Sequence, residues 1–193
     1  MSASKRITNL VGRAFLKAYR WRVDGGVPNV PKAVVIAAPH TSNWDLPLAI
    51  ATSWALGFDF RWMGKHTLFR FPFGGVMRSL GGIPVNRSAN HNAVDAAIEL
   101  LGQREKLMLL IQPEGTRGRA KRWRTGFYHT AVGAQVPIVL GFLDFRTRSS
   151  GLGPIMHPTG DIDADFIRIR EFYSKITPKF PELYGEIRIR DEV

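Results

Sequence analysis

Short apolar runs alternate with helical patterns along most of the chain. The apolar runs have the composition of buried strands, and the segments between them repeat apolar residues at helical spacing. The predicted strands are residues 33–38, 58–63, 81–85, 107–111 and 136–142, and the predicted helices are residues 44–56, 91–102, 125–133 and 163–176. Because such alternation is typical of α/β proteins, the pattern predicts a sheet with helices on its faces. No linker or internal repeat divides the chain, so we expect a single domain.

The N-terminal region has a different pattern, that of an amphipathic helix over residues 4–20. One face carries the apolar residues Ile7, Leu10, Val11, Ala14, Phe15 and Ala18, and the other carries the basic residues Lys5, Arg6, Arg13, Lys17 and Arg20. A basic face opposite an apolar face is typical of a helix that lies in a membrane interface. The alternative is a helix that docks on its own domain with its basic face in solvent.

Composition narrows the class of protein and the chemistry of its sites. The chain has 193 residues, of which 45% are hydrophobic, so it is long enough to form a core without cross-links. It contains no Cys, which excludes disulfide scaffolds, cysteine zinc sites, iron–sulfur clusters and a thiol nucleophile. Lys and Arg number 27 against 16 Asp and Glu. The net charge of +11 indicates anionic partners such as nucleic acid, a membrane surface or anionic substrates.

No stretch of the sequence has the length of a membrane-spanning helix. The longest uncharged apolar stretch is residues 46–58, between Asp45 and Asp59, whereas a bilayer requires about 20 residues. Arg13 and Lys17 interrupt the apolar N-terminal region, so we do not expect a signal peptide. The sequence therefore predicts a soluble or surface-bound protein.

The first candidate site is the sequence Pro-His-Thr-Ser-Asn-Trp-Asp at residues 39–45, directly after a predicted strand. Functional groups gather at the carboxyl ends of strands in α/β folds. A turn can bring His40 and Asp45 within hydrogen-bond distance, where the aspartate would fix the imidazole tautomer and leave the second nitrogen as a base. The alternative is a helix-capping segment in which His40 is an ordinary loop residue.

A second candidate site follows the predicted strand 107–111. Residues 112–117, Gln-Pro-Glu-Gly-Thr-Arg, combine backbone N–H groups, a hydroxyl and Arg117, which can hold a phosphate or another oxyanion. More basic residues follow, and no acidic residue lies between Glu114 and Asp144. Such a stretch suits phosphates, an acidic carrier protein or lipid head groups, and the alternative is a solvated loop.

Other motifs are weaker or absent. Residues 81–87, Gly-Gly-Ile-Pro-Val-Asn-Arg, form a glycine-led strand that ends in Arg87, which is a common combination. The sequence lacks the Gly-x-Ser-x-Gly elbow, the Walker loop and the Gly-x-Gly-x-x-Gly motif. The other histidines lack metal-ligand spacing, so we expect no metal site. They are His66, His91, His129 and His157.

Taken together and in this order, the blocks resemble the glycerophospholipid acyltransferase family of the lysophosphatidic acid acyltransferase type. That family is marked by His-x4-Asp, Gly-x-Ile-x-(Val/Ile)-x-Arg, Pro-Glu-Gly-Thr-Arg and a Val-Pro-Ile strand. The matching positions are His40 to Asp45, Gly81 to Arg87, Pro113 to Arg117 and Val136 to Ile138. The resemblance implies that family's α/β fold, a mixed sheet covered by helices in one domain of residues 1–193. The amphipathic helix would occupy residues 1–24, and the motifs would occupy residues 33–140.

The resemblance also implies a reaction, the transfer of a fatty acyl group from an acyl thioester to the hydroxyl of a lysophospholipid. The expected acceptor is 1-acylglycerol-3-phosphate, and the alternative is another lipid or alcohol that reacts by the same chemistry. His40 and Asp45 would be catalytic, and Glu114 would hold Arg117 or the acceptor glycerol. The residues expected to bind substrate are Arg87, Glu114, Gly115, Thr116 and Arg117. No cofactor or metal is expected beyond acyl-CoA or acyl carrier protein as co-substrate.

The implied partners are the acyl donor, the lysophospholipid and an anionic membrane surface. The transmembrane segments of many family members are missing, so the N-terminal helix would provide the membrane contact of a peripheral protein at the cytoplasmic face. The acyl chain requires an apolar groove, for which we expect Trp62, Met63, Leu68, Phe69, Phe71 and Phe73 as the lining.

The sequence differs from the family motifs at five positions, and two other classes of protein are possible interpretations of it. The departures could line the acceptor pocket and stand at Pro39, Asn86, Gln112, Gly118 and Leu140. One rival is a nucleic-acid-binding protein, which we do not expect because the basic residues share no recognisable motif. The other is a catalytically silent membrane-surface module, against which the intact His40 and Asp45 argue.

Overall fold

The computed structural model describes residues 3–85 and 90–189, and helices and strands alternate along them. The helices are α1 (Ala3–Ala18), α2 (Asp45–Leu56), α3 (Gly74–Ser79), α4 (Asn90–Gly102), α5 (Gly126–Gly133) and α6 (Ile162–Tyr173). The strands are β1 (Arg22–Asp24), β2 (Lys32–Ala38), β3 (Phe60–Lys65), β4 (Gly82–Val85), β5 (Leu107–Ile111), β6 (Ile138–Asp144) and β7 (Ser149–Met156). Short 3-10 helices occupy His66–Phe69 and Pro181–Leu183.

These strands form one 7-stranded sheet in the order β1-β7-β6-β2-β5-β3-β4. The central strand β2 pairs in parallel with β5 on one side and with β6 on the other. β3 and β4 continue the parallel part, whereas β7 runs antiparallel to β6 and pairs in parallel with β1 at the edge. The predicted fold class, an α/β domain with a mixed sheet covered by helices, is therefore confirmed.

Both faces of β2 are covered. Val34 and Ile36 belong to the core that lies under α4, α5 and α6. Ala33 and Val35 belong to the core on the opposite face, under α2. Burial on both faces explains why this strand appears in the sequence as a continuous apolar run rather than as an alternating pattern.

The N-terminal helix α1 packs on α2 through the buried Leu16, which shares a core cluster with Leu48, Ala51 and Ala55, and through small and polar residues. Gly12 lies so close to α2 that a Cβ atom there would meet the Ala51 carbonyl oxygen at 2.6 Å. The Asn9 amide donates hydrogen bonds to the carbonyl oxygens of Trp54 and Ala55 at 3.1 and 2.8 Å. The large apolar residues that α1 leaves exposed are Ile7, Leu10 and Val11. The helix therefore docks on its own domain and still presents an apolar stripe to solvent.

The sequence pattern misplaced or missed several elements of the sheet. The predicted strand 58–63 lies two residues later, at Phe60–Lys65. β1 has only 3 residues, and β7 carries Ser, Gly and Pro among its apolar residues, so neither has the composition of a strand. The predicted helix 163–176 corresponds to α6, which begins one residue earlier and ends three residues earlier. Its start is fixed by the Asp161 side chain, which accepts the backbone N–H groups of Asp163 and Ala164.

Candidate active site

Two motif loops meet at the carboxyl edge of the central parallel strands. Because β2 pairs with β5, with Ile36 opposite Ile111, the loops that follow the two strands start side by side. The loop after β2 carries His40, and the loop after β5 carries Glu114. The backbone N–H of His40 donates a hydrogen bond to Glu114 Oε2 at 2.8 Å. Residues that are 74 positions apart in the chain therefore belong to one site.

His40 and Asp45 form a hydrogen-bonded pair at this edge. The distance between His40 Nδ1 and Asp45 Oδ2 is 2.9 Å, and both side chains are largely buried. The same Oδ2 atom accepts the backbone N–H groups of Thr41 and Ser42 at 3.0 and 2.9 Å. Because Oδ2 is the acceptor in these bonds, Nδ1 carries the proton that it donates to Asp45, and Nε2 keeps its lone pair. The imidazole can therefore accept a proton at Nε2.

The turn between His40 and α2 is held by its own polar groups. Asp45 is the first residue of α2, where the helix dipole stabilises a carboxylate. The Ser42 hydroxyl oxygen accepts the backbone N–H of Trp44 at 3.1 Å. Asp45 Oδ1 is buried and has no hydrogen-bond partner among the described residues. These contacts fix the aspartate before any substrate is present.

Glu114 is buried, with only 6% of its surface exposed. The pKa of its carboxyl is raised from 4.5 to about 7. Burial is the main cause, the nearby charge of Asp45 also raises the pKa, and the hydrogen bond from the His40 N–H partly offsets both. Glu114 Oε1 has no hydrogen-bond partner among the described residues. The resemblance implied that Glu114 holds Arg117 or the acceptor glycerol. Arg117 is exposed, and the structure shows no ion pair between the two side chains. The carboxyl instead fixes the backbone at His40.

The C-terminal segment, residues 180–189, contacts the site and was not part of the predicted one. The backbone N–H of Phe180 donates to Thr41 Oγ1, next to His40, at 3.2 Å. Burial and the neighbouring Glu114 carboxyl both raise the pKa of the Tyr184 phenol above its ordinary value. No signal in the sequence pointed to these residues, because they belong to no motif and lie far from the motifs along the chain.

The remaining predicted binding residues lie in the loop after β5 and in the segment after β4. Gly115 has a φ of +67°, a conformation that favours glycine. The Thr116 hydroxyl accepts the backbone N–H of Gly118 at 3.2 Å, and both Thr116 and Arg117 are exposed. Arg87 lies outside the described residues. In the parts of the chain that the structure describes, no group of three His, Asp or Glu side chains is placed to hold a metal ion.

An apolar cavity opens beside His40 and runs between α2 and the sheet. It encloses about 520 Å³ with its open mouth included. Its apolar walls include Val35, Ala49, Phe58, Phe60, Leu110, Leu143 and Leu152, and its polar members include His40, Asp45, Thr52 and Gln112. None of the six residues expected to line an acyl groove is on this wall, whereas Pro39 and Gln112, two departures from the family pattern, are. The cavity therefore places an apolar surface next to the imidazole.

Proteins of known name resemble this chain in sequence and in fold. The chain is 26% identical over 128 residues to a 1-acyl-sn-glycerol-3-phosphate acyltransferase of Haemophilus influenzae, and 29% identical over 125 residues to one of Salmonella typhimurium. Each alignment covers 61% of this chain but 52% and 49% of those proteins, so the chain spans about half the length of these curated relatives. The crystal structure of the 1-acyl-sn-glycerophosphate acyltransferase PlsC from Thermotoga maritima matches with a TM-score of 0.60 at 18% identity, over 89% of this chain and 75% of that one.

The family assignment rests on the region that holds the site. The model of the Acyltransferase family matches residues 23–139, which is more than half of the chain. The matched region contains β2, α2 and both motif loops, including His40, Asp45 and Glu114. The fold shared with the Thermotoga maritima protein agrees with this match. The chain belongs to the acyltransferase family.

Proposed function

We propose that this chain is an O-acyltransferase that moves a fatty acyl group from an acyl thioester to the hydroxyl of a lysophospholipid, 1-acylglycerol-3-phosphate. The observation that carries the proposal is the hydrogen bond of 2.9 Å between His40 and Asp45 on the wall of an apolar cavity. The family and the names of the relatives support the same reaction. Another lipid or alcohol, which would react by the same chemistry, is the alternative acceptor.

In this proposal His40 is the general base, and Asp45 orients it. His40 Nε2 removes the proton of the acceptor hydroxyl while the hydroxyl oxygen attacks the thioester carbonyl carbon, and Asp45 stabilises the imidazolium that forms. The C–S bond then breaks and the proton passes to the leaving sulfur, so the products are an ester and a free thiol. Direct transfer without an acyl-enzyme is supported by the absence of Cys from the sequence, and the Ser42 variant below tests the remaining candidate nucleophile.

Glu114 and Arg117 have different roles in the proposal. Glu114 is a positioning residue, since it accepts the backbone N–H of His40. Arg117, together with Arg87 and the loop of Gly115 and Thr116, binds the acceptor phosphate, because a guanidinium matches the geometry of phosphate oxygens. The reaction requires no cofactor beyond the acyl-CoA or acyl carrier protein that donates the acyl group.

The apolar cavity is assigned to the acyl chain. Each CH₂ group that leaves water for such a site contributes about 0.8 kcal/mol, so the walls favour a long chain over a short one. The His40 imidazole lies on the same wall as Val35 and Leu152. A chain held there would place its thioester carbon beside the base.

The exposed stripe of α1 is the proposed contact with an anionic membrane surface. Ile7, Leu10 and Val11 face solvent, and Lys and Arg side chains of the same helix surround them. Over residues 3–85 and 90–189, none of the helices combines the length and the apolar content needed to cross a bilayer. We therefore propose peripheral attachment at the cytoplasmic face of the membrane, where the acceptor lipid is available.

The release of free thiol tests the reaction and its base together. Thiol would be measured from long-chain acyl-CoA and from acyl carrier protein, with and without lysophosphatidate, for the wild type, His40→Ala and Asp45→Asn. The exposed His157 provides the matched control His157→Ala. We expect release that depends on the acceptor and falls at least about 10²-fold in His40→Ala, since general-base catalysis contributes roughly 10²–10⁴-fold.

Three outcomes would contradict the proposal. Equal release with and without every acceptor would indicate thioester hydrolysis instead of transfer. Full activity of His40→Ala would remove the histidine from the chemistry. A loss in Ser42→Ala as large as that in His40→Ala would replace direct transfer by a covalent acyl-enzyme.

A further inference from the structure

The segment between β3 and β4 exposes four large apolar side chains in a short stretch of chain. The exposed fractions are 98% for Phe71, 66% for Phe73, 53% for Val76 and 49% for Leu68. We call these four residues the apolar ridge. Contiguous exposed apolar residues on a folded protein mark an interaction site.

Residues next to the ridge in the sequence pack on the core and keep the ridge exposed. Phe69 is buried, and its ring centroid lies 5.9 Å from that of Trp62. Gly74 is buried against the Phe69 carbonyl group, where a Cβ atom would clash, and its N–H donates to the Arg70 carbonyl oxygen at 2.9 Å. Met77 packs on the same core. The ridge cannot turn inward unless these contacts break, so its exposure is built into the fold.

The charged residues of the segment that carries the ridge are all basic. From Phe60 to Val94 the sequence contains no Asp or Glu. Lys65, Arg70 and Arg78 are exposed next to the ridge, and the Arg78 guanidinium lies 5.6 Å from the centre of the Phe69 ring. An anionic bilayer can bind both the apolar side chains and the basic residues beside them, since its acyl region accepts the former and its phosphates attract the latter.

The position of the ridge relates it to the active site. The ridge follows β3, which runs parallel to β5 and β2, so the segment leaves the sheet at the carboxyl edge where His40 lies. Its anchor Phe69 belongs to the core under α2, and α1 packs on that same helix. The ridge and α1 are therefore both anchored on the side of the sheet that α2 covers.

We propose that the apolar ridge is a second membrane-contacting element, which inserts into an anionic bilayer and, together with α1, orients the cavity of His40 toward the lipid. The inference rests on the proposed function, because a lipid acceptor is what makes this orientation useful. Two points of contact on the same side of the sheet restrict rotation of the domain on the membrane. A single helix would leave the domain free to rotate about the helix axis.

Because the chain contains no Cys, one position at a time can be labelled. The variant Phe71→Cys would carry an environment-sensitive fluorophore, and Val132→Cys is the matched control, since Val132 is 43% exposed on α5 at the opposite face. We expect a blue shift and increased emission at position 71 with vesicles that contain phosphatidylglycerol, and no change at position 132. An unchanged spectrum at position 71, or equal responses at both positions, would overturn the proposal.

Vesicle binding without any substrate separates the ridge from the reaction. The double variant Phe71→Ser/Phe73→Ser should bind phosphatidylglycerol vesicles at least about tenfold more weakly than the wild type, because burial of each ring contributes to binding. The control Val132→Ser/Ile167→Ser removes exposed apolar side chains from the opposite face and should bind like the wild type.

The outcomes of the two assays are distinguishable. Wild-type vesicle binding by the double variant refutes the ridge, whatever thiol release shows. Vesicle binding through the ridge by a protein that releases no thiol refutes the acyltransferase and leaves the ridge in place. Self-association of the wild type in lipid-free sedimentation, lost in the ridge variant, would assign the surface to a second copy of the chain and overturn the proposal.

Discussion

The substitution Glu114→Gln removes a titratable group from the interior while it keeps the shape of the side chain. In the folded chain burial raises the pKa of Glu114 from 4.5 to about 7. A carboxyl with a raised pKa binds more protons when folded, so its contribution to stability is present at low pH and is lost as the pH rises through 7. Gln does not titrate. The free energy of unfolding of the wild type should therefore decrease relative to that of Glu114→Gln as the pH rises.

The size of the effect follows from proton linkage. For a pKa of 4.5 in the unfolded chain and about 7 in the folded chain, the difference in the free energy of unfolding between wild type and variant changes by roughly 2–3 kcal/mol between pH 5 and pH 8. With a urea dependence of about 2 kcal/mol per M, the two unfolding midpoints should move relative to each other by about 1 M.

Urea unfolding of both proteins at pH 5, 6, 7 and 8 measures this difference directly. The comparison cancels the titrating groups that do not interact with Glu114, since these are common to both chains and titrate alike in them. The control Glu182→Gln removes an exposed carboxylate from the C-terminal part of the chain. It measures how the loss of one negative charge, without burial, changes the free energy of unfolding. If the difference between wild type and Glu114→Gln were the same at pH 5 and pH 8, the argument that burial holds this carboxyl near neutrality would be refuted.

Two further predictions concern the substrates. Arg117→Ala should raise the KM for the acceptor about tenfold or more and change kcat little. The matched control is Arg119→Ala, since Arg119 is also exposed. A loss of kcat at unchanged KM would contradict a binding role for Arg117. Ala49→Leu places about three more carbon atoms on the cavity wall, so kcat/KM for long acyl chains should fall about tenfold relative to short ones. Unchanged chain-length selectivity in a stably folded Ala49→Leu variant would show that the acyl chain binds elsewhere.

Local features of the structure could be predicted from the sequence, and contacts between distant segments could not. The central strands are continuous apolar runs because both of their faces are buried, so residues 33–38 and 107–111 were located to within one residue. The pairing of His40 with Asp45 depends on a short turn, and the spacing alone suggested it. The hydrogen bond from His40 to Glu114 depends on the adjacency of β2 and β5, which no local pattern encodes.

The cavity beside His40 is lined by residues other than those expected for an acyl groove, and the reason is related. The aromatic residues near positions 62–73 are conspicuous in the sequence, but Phe71 and Phe73 point outward and the buried Phe69 packs on Trp62. The actual wall includes Leu152 of β7, a strand that the pattern missed because it contains Ser, Gly and Pro. Composition can identify aromatic residues but not the direction in which a turn points them.

The pairing of β1 with β7 can form only late in the synthesis of the chain. Arg22–Asp24 pairs with residues 149–151, so β1 has no partner until the ribosome has made most of the chain. At about 5–20 residues per second, the delay is on the order of ten seconds. Helix α1, with its apolar stripe, precedes β1 in the chain and emerges first. The stripe is therefore available to a membrane while the sheet is still incomplete. Attachment of the nascent chain can come before β1 pairs with β7.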